Sequence, residues 1–135
     1  AGLLPGALLH NDGQTFLCKN VHIRAENRTT LLTNAVKEKP LKIPIAHGEG
    51  RYYADAETLK ALNDNRQILF RYCDVEGRLR DDANPNGSVE NIAGVCNAGR
   101  NVFGMMPHPE RAADERLGNT DGKALFTSLL QGVLA

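Results

Sequence analysis

Apolar positions along the chain repeat in patterns that predict mostly strands. Five segments show either strict alternation of apolar and polar side chains or a short apolar run: 16–24, 41–46, 67–72, 92–96 and 102–106. Pro44 places the second of these at a sheet edge or a bulge, because proline cannot donate to a strand ladder. The turn-rich segment 97–101 predicts that the last two strands form a hairpin.

Two helices are predicted between and after these strands. Asp55 is a suitable N-cap for the first, which the polar run 63–65 ends. The second begins after Thr120 or Asp121 and has an apolar stripe along one side, made of Leu125, Phe126, Leu129, Leu130, Val133 and Leu134. Strands outnumber helices, so we expect an α/β fold with a mixed, partly antiparallel sheet and flanking helices.

Two observations lead us to expect that residues 1–135 are one part of a larger domain. The helices are too few for a complete doubly wound sheet, and segment 1–6 has the composition of a helix end followed by a turn. An amino-terminal half would therefore be missing. Such a piece would expose apolar sheet surface and would self-associate.

Composition and charge narrow the classes of partner. The chain has 16 basic and 16 acidic residues, a formal net charge of zero, which disfavours nucleic acid as a partner. No run approaches the roughly 18 apolar residues of a membrane span, so no membrane partner is predicted. The three cysteines are widely spaced without a CxxC pair, which favours free thiols in a reducing cytoplasm.

The segment Pro107-His108-Pro109-Glu110 is the strongest candidate for chemistry. The prolines favour extended backbone at the residues that precede them, and in extended backbone His108 and Glu110 point to the same side. A glutamate can then accept the proton of one imidazole nitrogen and leave the other as a base, which is two thirds of a nucleophilic triad. The alternative from the residues alone is a rigid surface turn.

A second candidate is His47-Gly48-Glu49-Gly50, a glycine-rich loop at the end of a strand. The glycines allow backbone N–H groups to approach a ligand closely, although a flexible polar loop has the same composition. The two His-x-Glu pairs could also suggest a metal site. The Pro-Cys-x-x-Cys partner of zinc deaminases is absent from the sequence, so no metal is predicted.

A cysteine nucleophile is not evident in the sequence. Cys18 and Cys73 have bulky neighbours that do not suit a sharp strand-to-helix elbow. Cys96 comes closest, between Gly94 and Gly99, but the second glycine is one position late and no helical pattern follows. Small buried thiols are therefore the expectation for all three.

With these residues identified, the chain resembles the small glutaminase subunits of phosphoribosylformylglycinamidine synthases. These are class I glutamine amidotransferases with a flavodoxin-like fold. The resemblance covers essentially the whole chain and is strongest in three segments that occur in the same order: 43–55, 84–88 and 104–112. It implies that the chain is the carboxy-terminal half of such a domain.

The resemblance also implies a mechanism and partners. His108 would accept the proton of a cysteine thiol and Glu110 would orient His108, while His47, Gly48 and Glu49 would lie at the glutamine. Ammonia would pass to a larger synthetase subunit, which would hold ATP and Mg²⁺, with a small accessory subunit as an optional third component. No cofactor is expected in this chain.

The resemblance departs from the family at the nucleophile. The elbow cysteine and the oxyanion loop of the family would precede Ala1, so a second polypeptide would have to supply them. Three alternatives stay open at this point: an inactive fragment, a module that only docks the synthetase, and a glutaminase that serves another acceptor.

Overall fold

The computed structural model describes residues 2–134. It contains seven strands: β1 (Ala7–Leu9), β2 (Leu17–Ala25), β3 (Leu41–His47), β4 (Arg51–Tyr53), β5 (Ile68–Cys73), β6 (Ile92–Cys96) and β7 (Phe103–Met105). Two α-helices accompany them, α1 (Ala56–Asp64) and α2 (Lys123–Leu134). The five predicted strands and two predicted helices are all present. Ala1 lies outside the described residues, and residues 3–6 of the expected helix end form an irregular bend.

The main sheet has five strands in the order β3-β2-β5-β6-β7. All pairings within it are antiparallel, so the prediction of a mixed sheet is wrong for residues 2–134. Parallel neighbours need a crossover of a dozen or more residues, usually a helix. Within the described residues, the one α-helix that lies between strands, α1, instead connects a small second sheet to the main sheet. The edge position predicted from Pro44 is confirmed, because β3 is the outermost strand.

The second sheet was not predicted. It is a two-stranded antiparallel pair in which Ala7 lies opposite Tyr53 and Leu9 opposite Arg51. β1 is exposed along its whole length and has three consecutive apolar residues, so it lacks the alternation that identifies a strand in a sequence. This pairing brings the start of the chain next to the loop after β3.

The central strands are covered on both faces. All six residues of β5 and all five of β6 are buried, which removes the inside-outside alternation predicted for β5. Strands buried on both faces normally read as near-continuous apolar runs, and Arg71 interrupts the pattern here. Arg71 is neutralised by Glu90, whose carboxylate lies 3.1 Å away.

The helices differ in how well they match expectation. The Asp55 carboxylate caps α1 by accepting a hydrogen bond from the Thr58 N–H at 2.8 Å, as predicted. The predicted apolar stripe of α2 is not buried as a face: Leu125 is buried, but Leu130, Val133 and Leu134 are 64%, 83% and 85% exposed. Between residues 2 and 134, the helices are too short or too polar to cross a bilayer.

Candidate functional site

The turn after β7 positions the first candidate pair. The Met106 N–H donates to the Ala93 carbonyl at 3.0 Å, which keeps the chain on β6 as far as the buried Pro107. His108 is extended, with φ −80° and ψ 109°, and Pro109–Ala112 forms one turn of 3-10 helix. His108 therefore follows closely on a strand that is hydrogen-bonded to the main sheet.

His108 and Glu110 form the hydrogen bond that their spacing predicts. The distance from His108 Nδ1 to Glu110 Oε1 is 2.9 Å. Because an ionised carboxylate can only accept, Nδ1 must carry the proton and Nε2 keeps its lone pair. The two side chains are 51% and 59% exposed, so the pair lies at the surface of the described chain.

The reason given for this pairing from the sequence is only half right. His108 is extended, but Glu110 belongs to the 3-10 turn and not to an extended segment. Pro109 begins that turn, where a missing N–H is tolerated and its fixed φ suits helical backbone. The turn brings the Glu110 carboxylate back towards the imidazole.

The 3-10 turn is held against the start of α2 by close backbone packing. The Gly122 N–H donates to the Ala112 carbonyl at 2.7 Å. A β-carbon on Gly122 would lie 2.1 Å from the Pro109 carbonyl oxygen, so only glycine fits. Position 122 thereby fixes where His108 and Glu110 stand relative to the core.

The environment keeps Glu110 ionised. Partial burial acts to raise the pKa of its carboxyl, but the opposing effects are larger. Hydrogen bonds from its own backbone N–H and from His108, together with the nearby charges of His108 and Arg111, lower the pKa below its ordinary value of 4.5. Glu110 is therefore a carboxylate throughout the neutral pH range.

His47, at the end of β3, is buried, with 8% of its surface exposed. Its Nδ1 lies 2.9 Å from Oδ1 of Asn11, a buried side chain in the segment between β1 and β2. Burial lowers the pKa of His47, a hydrogen bond between the side chain and its own backbone partly offsets this, and the charge of His108 lowers the pKa further. The charge of His108 is therefore felt at His47.

The rest of the loop after His47 is also fixed by hydrogen bonds. The Asn86 amide donates to the Gly50 carbonyl at 2.8 Å, and the Ser88 hydroxyl accepts from the Tyr52 N–H at 3.0 Å. Both Asn86 and Ser88 come from the third segment of the resemblance, 84–88. The backbone groups of this segment therefore have defined hydrogen-bond partners.

Gly48 and Glu49 differ in their surroundings. The Gly48 carbonyl accepts from the Asn11 N–H at 2.9 Å, and the residue is half-buried. Glu49 is exposed, and its carboxylate lies 3.4 Å from Nε2 of His10. The structure therefore brings His47 and Gly48 together through Asn11, while the Glu49 side chain points to His10.

Sequence reasoning did not single out Asn11, which contacts both His47 and Gly50. Asn11-Asp12-Gly13 has the composition of an ordinary turn, which hides any other role. Asn11 is nevertheless 2% exposed, which is unusual for an asparagine in a turn. Its importance depends on contacts with residues 36 and 39 positions away, and those are visible only in the folded chain.

A largely apolar cavity of about 160 Å³ lies next to both candidate segments. Gly50 lines it from the loop after β3, and Met105 and Met106 line it from the approach to His108. Tyr52 closes one side, and its hydroxyl donates to the Pro5 carbonyl at 2.8 Å. The two segments thus share one concave region.

The three cysteines do not complete a triad within the described residues. Burial raises the pKa of the Cys73 thiol to about 11 and also raises the pKa of the Cys96 thiol, so neither is a ready thiolate. Cys18 is exposed on β2, and within residues 2–134 its sulfur makes no hydrogen bond to His108. Over the same range, no three side chains of His, Cys, Asp or Glu group together as a metal site would require.

Comparison with known proteins gives a consistent result. Residues 4–124 match the model of the CobB/CobQ-like glutamine amidotransferase domain. Similar curated proteins are named phosphoribosylformylglycinamidine synthase subunit PurQ. The protein from Acaryochloris marina is 55% identical over 100% of this chain, and that from Synechocystis is 56% identical over 94% of it.

A solved structure agrees with these relatives. The structure of PurLQS from Thermotoga maritima contains a chain that is 44% identical, with a TM-score of 0.80 over 98% of this chain. In both comparisons the match covers only part of the relative. The chain spans 58% and 57% of the two curated proteins and 55% of the Thermotoga chain.

Proposed function

Because this chain belongs to the CobB/CobQ-like glutamine amidotransferase family, we propose that it supplies the base and the orienting carboxylate for glutamine hydrolysis. The observation that carries the proposal is the 2.9 Å hydrogen bond between His108 Nδ1 and Glu110 Oε1. The carboxylate pairs with Nδ1, and the lone pair of Nε2 is left to act as the base. A Cys-His-Glu triad requires this arrangement.

The proposed reaction uses His108 twice. Nε2 of His108 accepts the proton of a cysteine thiol as the sulfur bonds to the carboxamide carbon of glutamine. His108 returns the proton to nitrogen as the carbon–nitrogen bond breaks, releasing ammonia and leaving a thioester. Water then hydrolyses the thioester to glutamate, with His108 again as the base. Glu110 stabilises the imidazolium that forms in each half-reaction.

The attacking thiol is proposed to come from polypeptide outside these 135 residues. The buried thiols of Cys73 and Cys96 have raised pKa values, which oppose thiolate formation. The chain spans less than three fifths of its curated relatives, so other residues are available to supply the sulfur. This chain alone is then expected to be inactive.

The glutamine is proposed to lie between the His108 turn and the loop after β3. His47, Gly48 and Glu49 form the part of that loop which would contact the substrate, with backbone N–H groups of Gly48 and Glu49 directed to its carboxylate. Support comes from the cavity between them, which is lined by Gly50 of the loop and by Met105 and Met106 before His108.

The ammonia is proposed to serve formylglycinamide ribonucleotide amidation in purine biosynthesis. The relatives carry the name of a synthase subunit, which supports a larger synthetase subunit as partner. That subunit would hold ATP and Mg²⁺, a small accessory subunit would complete the assembly, and the location would be the cytoplasm.

The test compares two nitrogen sources in the assembled synthase. We expect His108→Ala and Glu110→Gln to lower glutamine-dependent amidation by about 10²- to 10⁴-fold, the usual contribution of a positioned general base. Amidation from added ammonium salt should be unchanged, because that reaction bypasses the triad. Glu115→Gln, an exposed carboxylate in the next turn, is the matched control and should change neither.

Unchanged glutamine-dependent activity in His108→Ala would contradict the proposal. It would favour a module that only docks the synthetase. Loss of both activities would mean that the variant disrupts assembly, and binding of the variant to the synthetase subunit distinguishes that case. Loss of glutamine-dependent activity in Glu115→Gln would show that the activity responds to any change in this region. The effect could then not be assigned to the pair His108 and Glu110.

A further inference from the structure

The buried side chain of Asn11 has its orientation fixed by its surroundings. The amide nitrogen Nδ2 donates to two carbonyl oxygens, those of Thr15 and His47, both at 2.8 Å. The amide oxygen Oδ1 accepts from the Gly50 N–H at 3.1 Å. The reverse orientation would place oxygen against two carbonyl oxygens and an amino group against an N–H. Oδ1 is therefore the atom that faces His47.

This orientation decides which nitrogen of His47 carries the proton. Nδ1 of His47 lies 2.9 Å from Asn11 Oδ1, and two acceptors cannot share a hydrogen bond. Nδ1 must therefore be the donor. In the neutral ring the other nitrogen, Nε2, is then an acceptor with a free lone pair.

The Nε2 atom of His47 is buried without a partner. It is the one side-chain nitrogen or oxygen within residues 2–134 that is fully buried and makes no hydrogen bond there. His47 as a whole is 8% exposed, so water reaches little of the ring. Buried polar atoms in native proteins almost always have partners, and an exception calls for an explanation such as a catalytic role or a water or ion that binds there.

We propose that Nε2 of His47 accepts a hydrogen bond from the side-chain carboxamide of bound glutamine, and that Asn11 is the positioning residue that fixes His47 in this tautomer. The inference rests on the proposed function and deepens it. His47 ends β3, which packs against the 3-10 turn that follows His108, and the charge of His108 acts on His47. In the proposed reaction the carboxamide lies at His108.

The chemistry of this acceptor gives it a role in specificity. A carboxamide offers N–H donors to Nε2, whereas the carboxylate of glutamate offers only acceptors. Glutamate would leave Nε2 unpaired and would set two lone pairs against each other. A site that hydrogen-bonds one group discriminates strongly against the analogue lacking it. His47 would thus favour the substrate over the product.

Two substitutions of His47 separate the acceptor from the contact with Asn11. In His47→Asn, the shorter amide can replace Nδ1 and keep the bond to Asn11, but the Nε2 position is empty. In His47→Gln, the longer amide can place an oxygen acceptor at the Nε2 position and loses the contact with Asn11. His22→Asn, a half-buried histidine on β2 away from the site, is the control.

Kinetics of the assembled synthase provide the first readout. We expect His47→Asn to raise the KM for glutamine by about 3- to 10-fold, the range for one neutral hydrogen bond. Inhibition by glutamate relative to glutamine should strengthen, and the rise in KM should be smaller in His47→Gln than in His47→Asn. A larger defect in His47→Gln than in His47→Asn would overturn the proposal. So would a normal KM in His47→Asn.

The tautomer provides a second readout that does not depend on activity. Long-range ¹H–¹⁵N spectra of the imidazole should show a protonated Nδ1 and an unprotonated Nε2 in His47, and a mixture of tautomers in Asn11→Ala. A protonated Nε2 in the original protein would overturn the proposal even if the enzyme is active. If instead the proposed function is wrong, the original synthase will not use glutamine while the tautomer result still holds.

Discussion

The imidazole ring of His47 lies flat against the α-carbon of Gly50. A β-carbon at position 50 would lie 2.3, 2.4 and 2.6 Å from the ring atoms Cε1, Nδ1 and Nε2. The glycine is required here for space, because its backbone N–H and carbonyl also bond to Asn11 and Asn86 and cannot move away. Because Gly50 has no side chain, the buried ring of His47 can pack directly against the backbone of the loop.

We therefore expect Gly50→Ala to destabilise the protein. The added methyl group would force the buried ring or the bonded backbone to move, and overpacking of this kind costs about 1–3 kcal/mol. Urea unfolding followed by circular dichroism measures the change. Gly48→Ala is the matched control, because a β-carbon there would meet only a Phe16 ring carbon at 4.0 Å. Equal effects of the two variants would contradict the steric explanation.

The three thiols are expected to react at different rates. Cys18 is exposed, whereas Cys73 and Cys96 are buried and have pKa values that burial raises, for Cys73 to about 11. Because the thiolate is the reactive form, a maleimide at pH 7 should add once to the native chain and three times after unfolding. Mass spectrometry counts the adducts.

The Cys18→Ser variant identifies which thiol reacts. It should show no rapid addition in the native state, and slow labelling of the remaining two thiols should follow the unfolding rate. Rapid double labelling of the native original chain would show that Cys73 or Cys96 is accessible. That result would reopen Cys96 as a candidate nucleophile.

Much of the fold follows from local sequence signals. The edge position of β3 follows from Pro44, and the start of α1 follows from Asp55, because each depends on the chemistry of a single residue. The hydrogen bond between His108 and Glu110 could likewise be predicted, since two residues and two prolines determine it. The 3-10 turn that produces this bond was missed, because the extended preference before a proline says nothing about residues after it.

The remaining features depend on contacts between distant segments. β1 pairs with β4 across more than 40 residues, and no alternation in Ala7–Leu9 indicates it. Asn11 reads as a turn residue until His47 and Gly50 are placed around it. The burial of β5 on both faces could not be predicted either. It depends on other segments that pack against the strand, which the strand's own sequence does not specify.

Tyr52 is expected to make stability fall at alkaline pH. Burial raises the pKa of its hydroxyl from 10.0 to about 12. The folded state thus favours the neutral phenol, and this contribution is complete below pH 10 and is lost as pH rises from 10 towards 12. The loss is at most about 1.4 kcal/mol per pH unit for one group. Urea unfolding at pH 8, 10 and 12 measures it.

The Tyr52→Phe variant removes the ionisation and the hydrogen bond to the Pro5 carbonyl together. At pH 8 it should be less stable than the original by about 1 kcal/mol, because the bond is lost. The difference should shrink or reverse between pH 10 and 12. Burial also raises the pKa of Tyr72. Because Tyr72 is present in both proteins, its ionisation changes their stability equally and cancels in the difference. A constant difference at all three pH values would contradict the assignment to Tyr52.

The exposed apolar side of α2 predicts that the isolated chain self-associates. The sequence led us to expect exposed apolar surface on the sheet, but the central strands are buried. The two most exposed large apolar side chains are instead Val133 and Leu134 on α2, and Leu130 of the same helix is 64% exposed. Contiguous apolar patches of this kind are rarely left in contact with water by soluble monomers. Sedimentation velocity should therefore show concentration-dependent association of the chain.

Leu130→Glu should shift the sedimentation profile towards the monomer. Because Leu130 is 64% exposed, the free energy of unfolding should change by no more than about 0.5 kcal/mol. Gln131→Glu adds the same charge to the neighbouring exposed position of α2 and leaves the apolar side chains intact, so it should still associate. Equal dissociation by both variants would assign the effect to net charge. A monomeric original chain that unfolds cooperatively would show that the α2 surface does not drive association.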